Sequence, residues 1–241
     1  RGLGDVYKRQ KLNRTEAGEV IYENGLPTFD DKVSVLGNGN YDFTLGFRNA
    51  FSYKNLSMSV LVDMKFGADV YSMSKMQSHV NGTSKETLEG REGWYASEQA
   101  RLSANVDAKD WTPTGGYVGK GVKAVTDADG NVSYVPNDVY VDPAKYWQAL
   151  QNSSPEPFIC DNSFVKLREV SLSYSCPKKW FVHTPIESVT LSAYGRNLLL
   201  IYSKVDNIDP ESSYNNGNGQ GFEYGSLPSR RTFGFGINVK F

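Results

Sequence analysis

Residues 41–66 read YDFTLGFRNAFSYKNLSMSVLVDMKF. Tyr41, Phe43, Leu45, Phe47, Phe51 and Tyr53 fall on one side of an extended chain, a row broken only by Asn49. Asp42, Thr44, Gly46, Arg48, Ala50 and Ser52 fall on the other, because successive strand side chains point to opposite faces. After a tight turn at Lys54 and Asn55, Leu56, Met58, Val60, Val62, Met64 and Phe66 alternate with Ser57, Ser59, Leu61, Asp63 and Lys65. This is the pattern of a hairpin of two long strands, each apolar on one side and small or charged on the other. Residues 230–241, RRTFGFGINVKF, repeat it: Phe233, Phe235, Ile237, Val239 and Phe241 share a face opposite Thr232, Gly234, Gly236, Asn238 and Lys240. A soluble sheet buries such a face against a core, and a membrane barrel turns it toward lipid.

The totals leave both options open. The chain has 241 residues and a formal net charge of -1, so no global field favours nucleic acid. Its longest purely apolar run, Leu198 to Tyr202, is far short of the roughly 20 residues of a membrane helix. A barrel strand needs only about 9–11 residues and carries a polar face, so a mean hydropathy of -0.48 is compatible with one. Cys160 and Cys176 flank one predicted strand, which at ~3.3 Å per residue holds them roughly 50 Å apart, too far for a disulfide. Residues 1–10, RGLGDVYKRQ, fit nothing that follows and read as a non-native, adapter-derived segment.

Long strands are predicted at about 41–53, 55–67, 163–175, 188–201 and 230–241. Residues 11–40 are loop-like, rich in Gly, Asn, Asp and Pro. Residues 69–161 lack long strands, and SKETLEGREGWYASEQARL and DPAKYWQALQ each suit a helical turn or two. DADGNV (127–132) reads as a turn between short strands. Such a length exceeds an ordinary connection and predicts an elaborated functional loop. In SFVKLREVSLSYS the apolar row Val170, Leu172, Tyr174 changes parity from Val165 and Leu167, which predicts a bulge near Arg168 or a rim outside the membrane.

If the C-terminus is periplasmic, the connections at 54–55 and about 176–187 fall inside and those at 11–40, 69–161 and 202–228 fall outside. Short turns inside and long loops outside is the arrangement of outer-membrane barrels. The alternative is a secreted β-sandwich. Against it stand strands longer than the usual five or six residues, charged inward pairs such as Asp42/Arg48 and Asp63/Lys65, and aromatics near strand ends. Tyr41, Phe51, Tyr53, Tyr174, Trp180, Phe181, Tyr202 and Phe241 would form the two girdles.

No catalytic constellation stands out. His79 and His183 have no metal or triad context and read as surface or loop residues. Asp206, Asp209 and Glu211 suit turn formation better than glycosidase chemistry, and DADG lacks the later ligands of a calcium loop. No metal and no cofactor are expected. Trp94, Tyr95, Trp111, Tyr117, Tyr146 and Trp147 are weak substrate-binding candidates, since aromatic rings stack on sugars; the competing reading packs them in the loop's own core.

DNSFVKLREVSLSY (161–174), YGRNLLLIY (194–202), NIDPES (207–212) and GSLPSRRTFGFGINVKF (225–241) together resemble the C-terminal part of SusC/RagA-type TonB-linked outer-membrane proteins. The stretch LGNGNYDFTLGFRNAFSYKNLSMSVLVDMKFGADVYS (36–72) resembles that family's preceding segment. The resemblance implies an all-β fold: residues 11–241 as the last strands of an antiparallel, up-and-down, 22-stranded transmembrane β-barrel, with 69–161 a long extracellular loop. It implies import of oligosaccharides or peptides rather than catalysis, a location in the cell outer membrane, and contact with lipid. It also implies a SusD-like surface lipoprotein, TonB acting through N-terminal regions missing here, and a barrel-assembly signal at Phe233, Phe235, Ile237, Val239 and Phe241. Alternatives that stay open are a secreted β-sandwich that binds or hydrolyses carbohydrate, and a passive porin.

Overall fold

The structure, a computed structural model, describes residues 8–212 and 221–241. In chain order the strands begin with β1 (Lys8–Leu12), β2 (Ile21–Glu23), β3 (Leu26–Pro27), β4 (Phe29–Val35), β5 (Phe43–Tyr53), β6 (Leu56–Phe66) and β7 (Asp69–Ser72). There follow helices α1 (Met73–Val80) and α2 (Arg91–Ser103), strands β8 (Val122–Thr126) and β9 (Val132–Pro136), and helix α3 (Pro143–Ser153). The chain finishes with β10 (Ile159–Asp161), β11 (Phe164–Ser175), β12 (Ser188–Ser203), β13 (Phe222–Glu223) and β14 (Thr232–Lys240). Among the described residues two compact units result: 8–37, 71–159 and 222–225 form the first, and 38–70, 160–212, 221 and 226–241 the second.

The second unit is built on one sheet in the order β14-β12-β11-β6-β5, with every pair antiparallel. Lys54 at φ +54° makes the tight turn between β5 and β6. Register carries the apolar rows of the sequence across the whole sheet. Phe51 lies opposite Met58, Met58 opposite Leu172, Leu172 opposite Ala193, and Ala193 opposite Phe235. The register slips between Leu167 and Glu169 on both sides of β11. That bulge at Arg168 returns Val165 and Leu167 to the face of Val170 and Leu172, which accounts for the parity change in the sequence. Cys160, in β10, and Cys176, just after β11, are not joined in a disulfide.

Burial in this sheet is inverted. Phe47, Phe51, Phe233, Phe235 and Ile237 are exposed, Phe235 by 87%, whereas Lys166 is only 4% exposed. On the polar side a Cβ at position 234 would fall 2.4 Å from the Tyr194 ring. Glycine there lets the ring lie across the neighbouring strand.

The first unit is conventional. Leu12, Tyr22, Met76, Tyr117, Tyr146, Trp147, Leu150 and Phe158 form a buried cluster, flanked by Val20, Leu26, Phe29, Tyr71, Met73, Val80 and Val141. Strands β3-β2-β8-β9 make a small sheet in which β2 runs parallel to β8, and β1 pairs with β4. The DADGNV stretch turns β8 into β9, with Asp127 accepting from the amides of Asp129 and Asn131 at 2.9 and 2.8 Å. Helix α1 is capped by Ser72, and α3 starts Asp142-Pro143, the cap-then-proline order that fits a helix N-terminus.

Two segments differ from the sequence reading. Residues 11–40, expected as loop, carry the end of β1 and all of β2 to β4, because strands of two to seven residues between Gly and Asn turns are too short to show alternation. Residues 69–161 are not a plain loop: α2 runs 13 residues and α3 runs 11, and much of their sequence folds with 11–37 around one core. Residues 8–10, set aside with the non-native stretch, are paired in β1; residues 1–7 lie outside the described residues.

Candidate functional site

Five residues expected as the assembly signal occupy the C-terminal end. Phe233, Phe235, Ile237 and Val239 line one face of β14 and Phe241 follows it; all are exposed. Across the sheet the opposite face carries Arg48, Ser59, Asp63, Ser171, Ser192 and Asn238. On that face Lys166 Nζ donates to Asp209 Oδ1 at 3.1 Å, Glu211 Oε2 at 2.8 Å and Ser229 Oγ at 2.8 Å. Arg168 donates to both Glu211 oxygens, at 2.6 and 2.8 Å, to Asp63 at 2.5 Å and to Asn197 at 2.8 Å. The NIDPES segment is thereby clamped to the strands, and its carboxylates serve structure. Burial opposes ionisation of Asp209, yet hydrogen bonds from Ser229, the Glu211 amide and Lys166 outweigh it and hold the carboxyl below its usual range. Burial opposes ionisation of Glu211 too, and Arg168 and Lys166 overcome it.

The six aromatic candidates divide. Tyr117, Tyr146 and Trp147 are core residues, with Tyr117 and Tyr146 rings 4.4 Å apart and Tyr146 and Trp147 edge-on at 5.2 Å. Burial pushes the Tyr146 hydroxyl well above the ordinary tyrosine range. Trp111 is an anchor: its Nε1 donates to Ser97 Oγ at 3.1 Å, pinning its segment to α2. Trp94 and Tyr95, on the first turns of α2, line a cleft of about 340 Å³ together with Trp147. His79, Asn81, Arg91 and Asp142 also line it.

His79 corrects the sequence reading. It lies on α1, 3% exposed, instead of on a surface or loop; His183 is the exposed loop histidine. His79 Nδ1 donates to the Lys75 carbonyl at 2.8 Å, Nε2 is 2.6 Å from Glu86 Oε2, and the ring packs 4.5 Å from Trp147. That bond holds the Glu86 carboxyl below its usual range. The available signal was spacing: His79 follows Met76 by three residues, on the buried face of α1. Arg91 and Asp142 had no sequence signal beyond their helix starts. Among the described residues no group of three His, Cys, Asp or Glu side chains could hold a metal ion.

No family model matches the chain. Two proteins of Formosa agariphila described as TonB-dependent receptors align with it, one 27% identical over 222 residues and one 29% identical over 223. Each alignment covers 90% of this chain. The chain is similar in sequence to TonB-dependent receptors. It spans only 18% and 19% of the length of those two relatives. Among solved structures it matches the RagAB peptide importer in a closed-closed state over 97% of its length, with a TM-score of 0.55, 15% identity and 22% of that chain covered. A second match, to the RagAB peptide transporter, has a TM-score of 0.51, 16% identity and the same coverage. Identity this low shows the fold alone. The chain thus has the fold of a part of the RagAB importer.

Proposed function

We propose that residues 11–241 are the C-terminal part of a 22-stranded outer-membrane barrel belonging to a SusC/RagA-type, TonB-dependent importer of oligosaccharides or peptides. Strands β5, β6, β11, β12 and β14 cross the bilayer, and much of 69–161 lies outside the cell. One observation carries this reading: an exposed apolar face continues by register across five strands, backed by a polar face that buries ion pairs. Lipid satisfies the first face and a wet lumen the second. The edges of β5 and β14 need further strands, since an open sheet edge cannot face hydrocarbon. Neighbouring barrel strands outside this chain supply them. A SusD-like lipoprotein caps the barrel, TonB drives transport through other regions of the protein, and the barrel-assembly machinery reads Phe233 to Phe241. The peptide importer among the structural matches keeps peptides among the solutes.

The test is fractionation of cells making the whole protein, following peptides from this chain. Recovery in outer membranes after alkaline carbonate washing is expected. Recovery as a soluble secreted protein would establish the sandwich instead. Solute uptake that persists after TonB is deleted would make the protein a passive porin.

A further inference from the structure

One end of the five-stranded sheet carries cations that the fold itself does not use. There β5 turns into β6, β11 passes to β12 and β14 finishes, and hydrogen bonds lace the three places into one rim. Asn55 Nδ2 donates to the Ser175 carbonyl at 2.7 Å, and the Ser175 amide donates to the Asn55 carbonyl at 2.8 Å. The Cys176 amide donates to the Val189 carbonyl at 2.9 Å, and the Glu187 amide to the Lys240 carbonyl at 2.7 Å. Residues 52–57, 174–189 and 236–241 hold four lysines, Lys54, Lys178, Lys179 and Lys240, against one acidic side chain, Glu187. Lys240 takes that glutamate at 2.8 Å. Lys54, Lys178 and Lys179 are exposed and, among the described residues, have no carboxylate partner.

Register shows which way this charge looks. Tyr53, Leu56, Tyr174, Leu191 and Ile237 lie opposite one another and form the last full rung of the apolar face before the turns. Tyr53 is 72% exposed, and Lys54 Nζ lies over its ring, 5.2 Å from the centroid, so that this ammonium stands beside the apolar face. Lys178, Lys179 and Trp180 form one helical turn, closed by the Trp180 amide on the Pro177 carbonyl at 3.0 Å. Trp180 and Val182 are exposed alongside the two lysines. Aromatic rings with ammonium groups just beyond an apolar face match the depth at which acyl chains give way to phosphates. A zwitterionic headgroup brings its own ammonium against the lysines, and an anionic one does not.

We propose that this rim binds anionic phospholipids of the periplasmic leaflet in preference to zwitterionic ones. Lys54, Lys178 and Lys179 pair with the phosphates, while Tyr53, Trp180 and Val182 lie against the upper acyl chains. The inference rests on the importer reading for placing this end of the sheet at the periplasmic leaflet, and adds to it a choice of lipid.

The experiment uses the whole protein with its native cysteines, Cys160 and Cys176 among them, changed to serine and Val182→Cys carrying a bimane label. It is reconstituted in phosphatidylcholine vesicles at about 0.15 M salt. Nitroxide-labelled phosphatidylglycerol, phosphatidylcholine or lipid A is added at equal mole fraction, and the ratio of quenching gives the preference. Phosphatidylglycerol is expected to be favoured over phosphatidylcholine about 10-fold, each lysine contributing up to about 5-fold. Lys178→Gln with Lys179→Gln should bring the preference to about 2-fold or less, and Lys54→Gln should lower it by a smaller factor. Arginine at 178 and 179 should retain it, and Lys32→Gln on β4 should leave it unchanged. Salt at about 1 M, where the Debye length is ~3 Å, should erase it. Equal quenching by the two phospholipids, or a preference indifferent to Lys178 and Lys179, would overturn the proposal and leave the sheet in the membrane. Stronger quenching by lipid A than by phosphatidylglycerol would overturn it as well, because the rim would then match phosphates of the outer leaflet. Absence of quenching by all three lipids would take this rim out of the bilayer and the importer reading with it.

Discussion

The two units solve opposite problems with the same residue types. In the first, Trp147, Tyr146 and Phe158 are buried together, and the buried carboxylate of Glu223 is held by serine hydroxyls and backbone amides. In the second, Phe47, Phe51 and Phe235 stand exposed, and the buried places go to Lys166 and its carboxylate partners. Water explains the first pattern, because apolar area leaves it favourably at about 25 cal/mol per Å². Under the proposed function the second pattern follows because the medium outside the sheet is itself apolar. The difference teaches that burial is not a property of a residue but of the medium each face meets.

The largest test of this contrast removes one residue from each centre. Lys166→Ala leaves Asp209 and Glu211 without their shared ammonium, and breaking such a buried pair costs about 3–5 kcal/mol. Trp147→Ala costs a similar ~3–5 kcal/mol by opening a cavity in the first unit. Denaturant midpoints of the whole protein in detergent should fall for both. Only Trp147→Ala should erase near-ultraviolet signals of the clustered tyrosines. Equal loss from Lys166→Met and Lys166→Ala is expected, since neither restores the charge.

Next comes the exposed face. Phe47→Arg should cost about 2–4 kcal/mol in a bilayer if position 47 lies near its midplane, measured by reversible unfolding from vesicles, whereas Ser59→Arg on the polar face should cost far less. Equal penalties would erase the distinction between the two sides.

A smaller effect concerns Glu223, 1% exposed, whose carboxylate accepts from Ser72 Oγ, Ser74 Oγ, and the amides of Ser74 and Gly225. Burial opposes its ionisation, but those donors win and lower its pKa. Its folded pKa is depressed, so its stabilisation is present above the ordinary glutamate pKa of about 4.3 and fades as pH falls through and below that value. Glu223→Gln should cost about 1–3 kcal/mol at neutral pH, with the gap from the parent closing in acid. Asp142→Ala, which removes the α3 cap, should cost only ~1 kcal/mol in a thermal unfolding series.

The sheet was largely legible because an apolar face and a polar face impose a period of two over long strands. Even the irregularity at Arg168 showed as a change of parity between Leu167 and Val170. The first unit was not legible, because its core joins Leu12, Tyr22 and Trp147 from distant stretches through strands too short to carry a period. Tyr117 and Tyr146 looked like ligand platforms for the same reason: nothing local reveals that they face each other. His79 looked isolated because Glu86 reaches it only through the turn that follows α1, and Trp147 only when α1 and α3 pack. Of the six aromatics, Tyr95 on α2 is 68% exposed, whereas its neighbour Trp94 is half-buried beside the same cleft.

The most direct measurement is a cysteine scan of the whole protein in outer membranes, with Cys160 and Cys176 first changed to serine. Phe47→Cys, Val60→Cys, Leu172→Cys and Phe235→Cys sample one face, and Ala50→Cys, Ser59→Cys, Ser173→Cys and Gly236→Cys the other. The account predicts that the first set resists a water-soluble maleimide and that its fluorescent labels are quenched by lipid-borne nitroxides, while the second set reacts readily. Equal reactivity of both sets, or lipid quenching on the polar set, would contradict it.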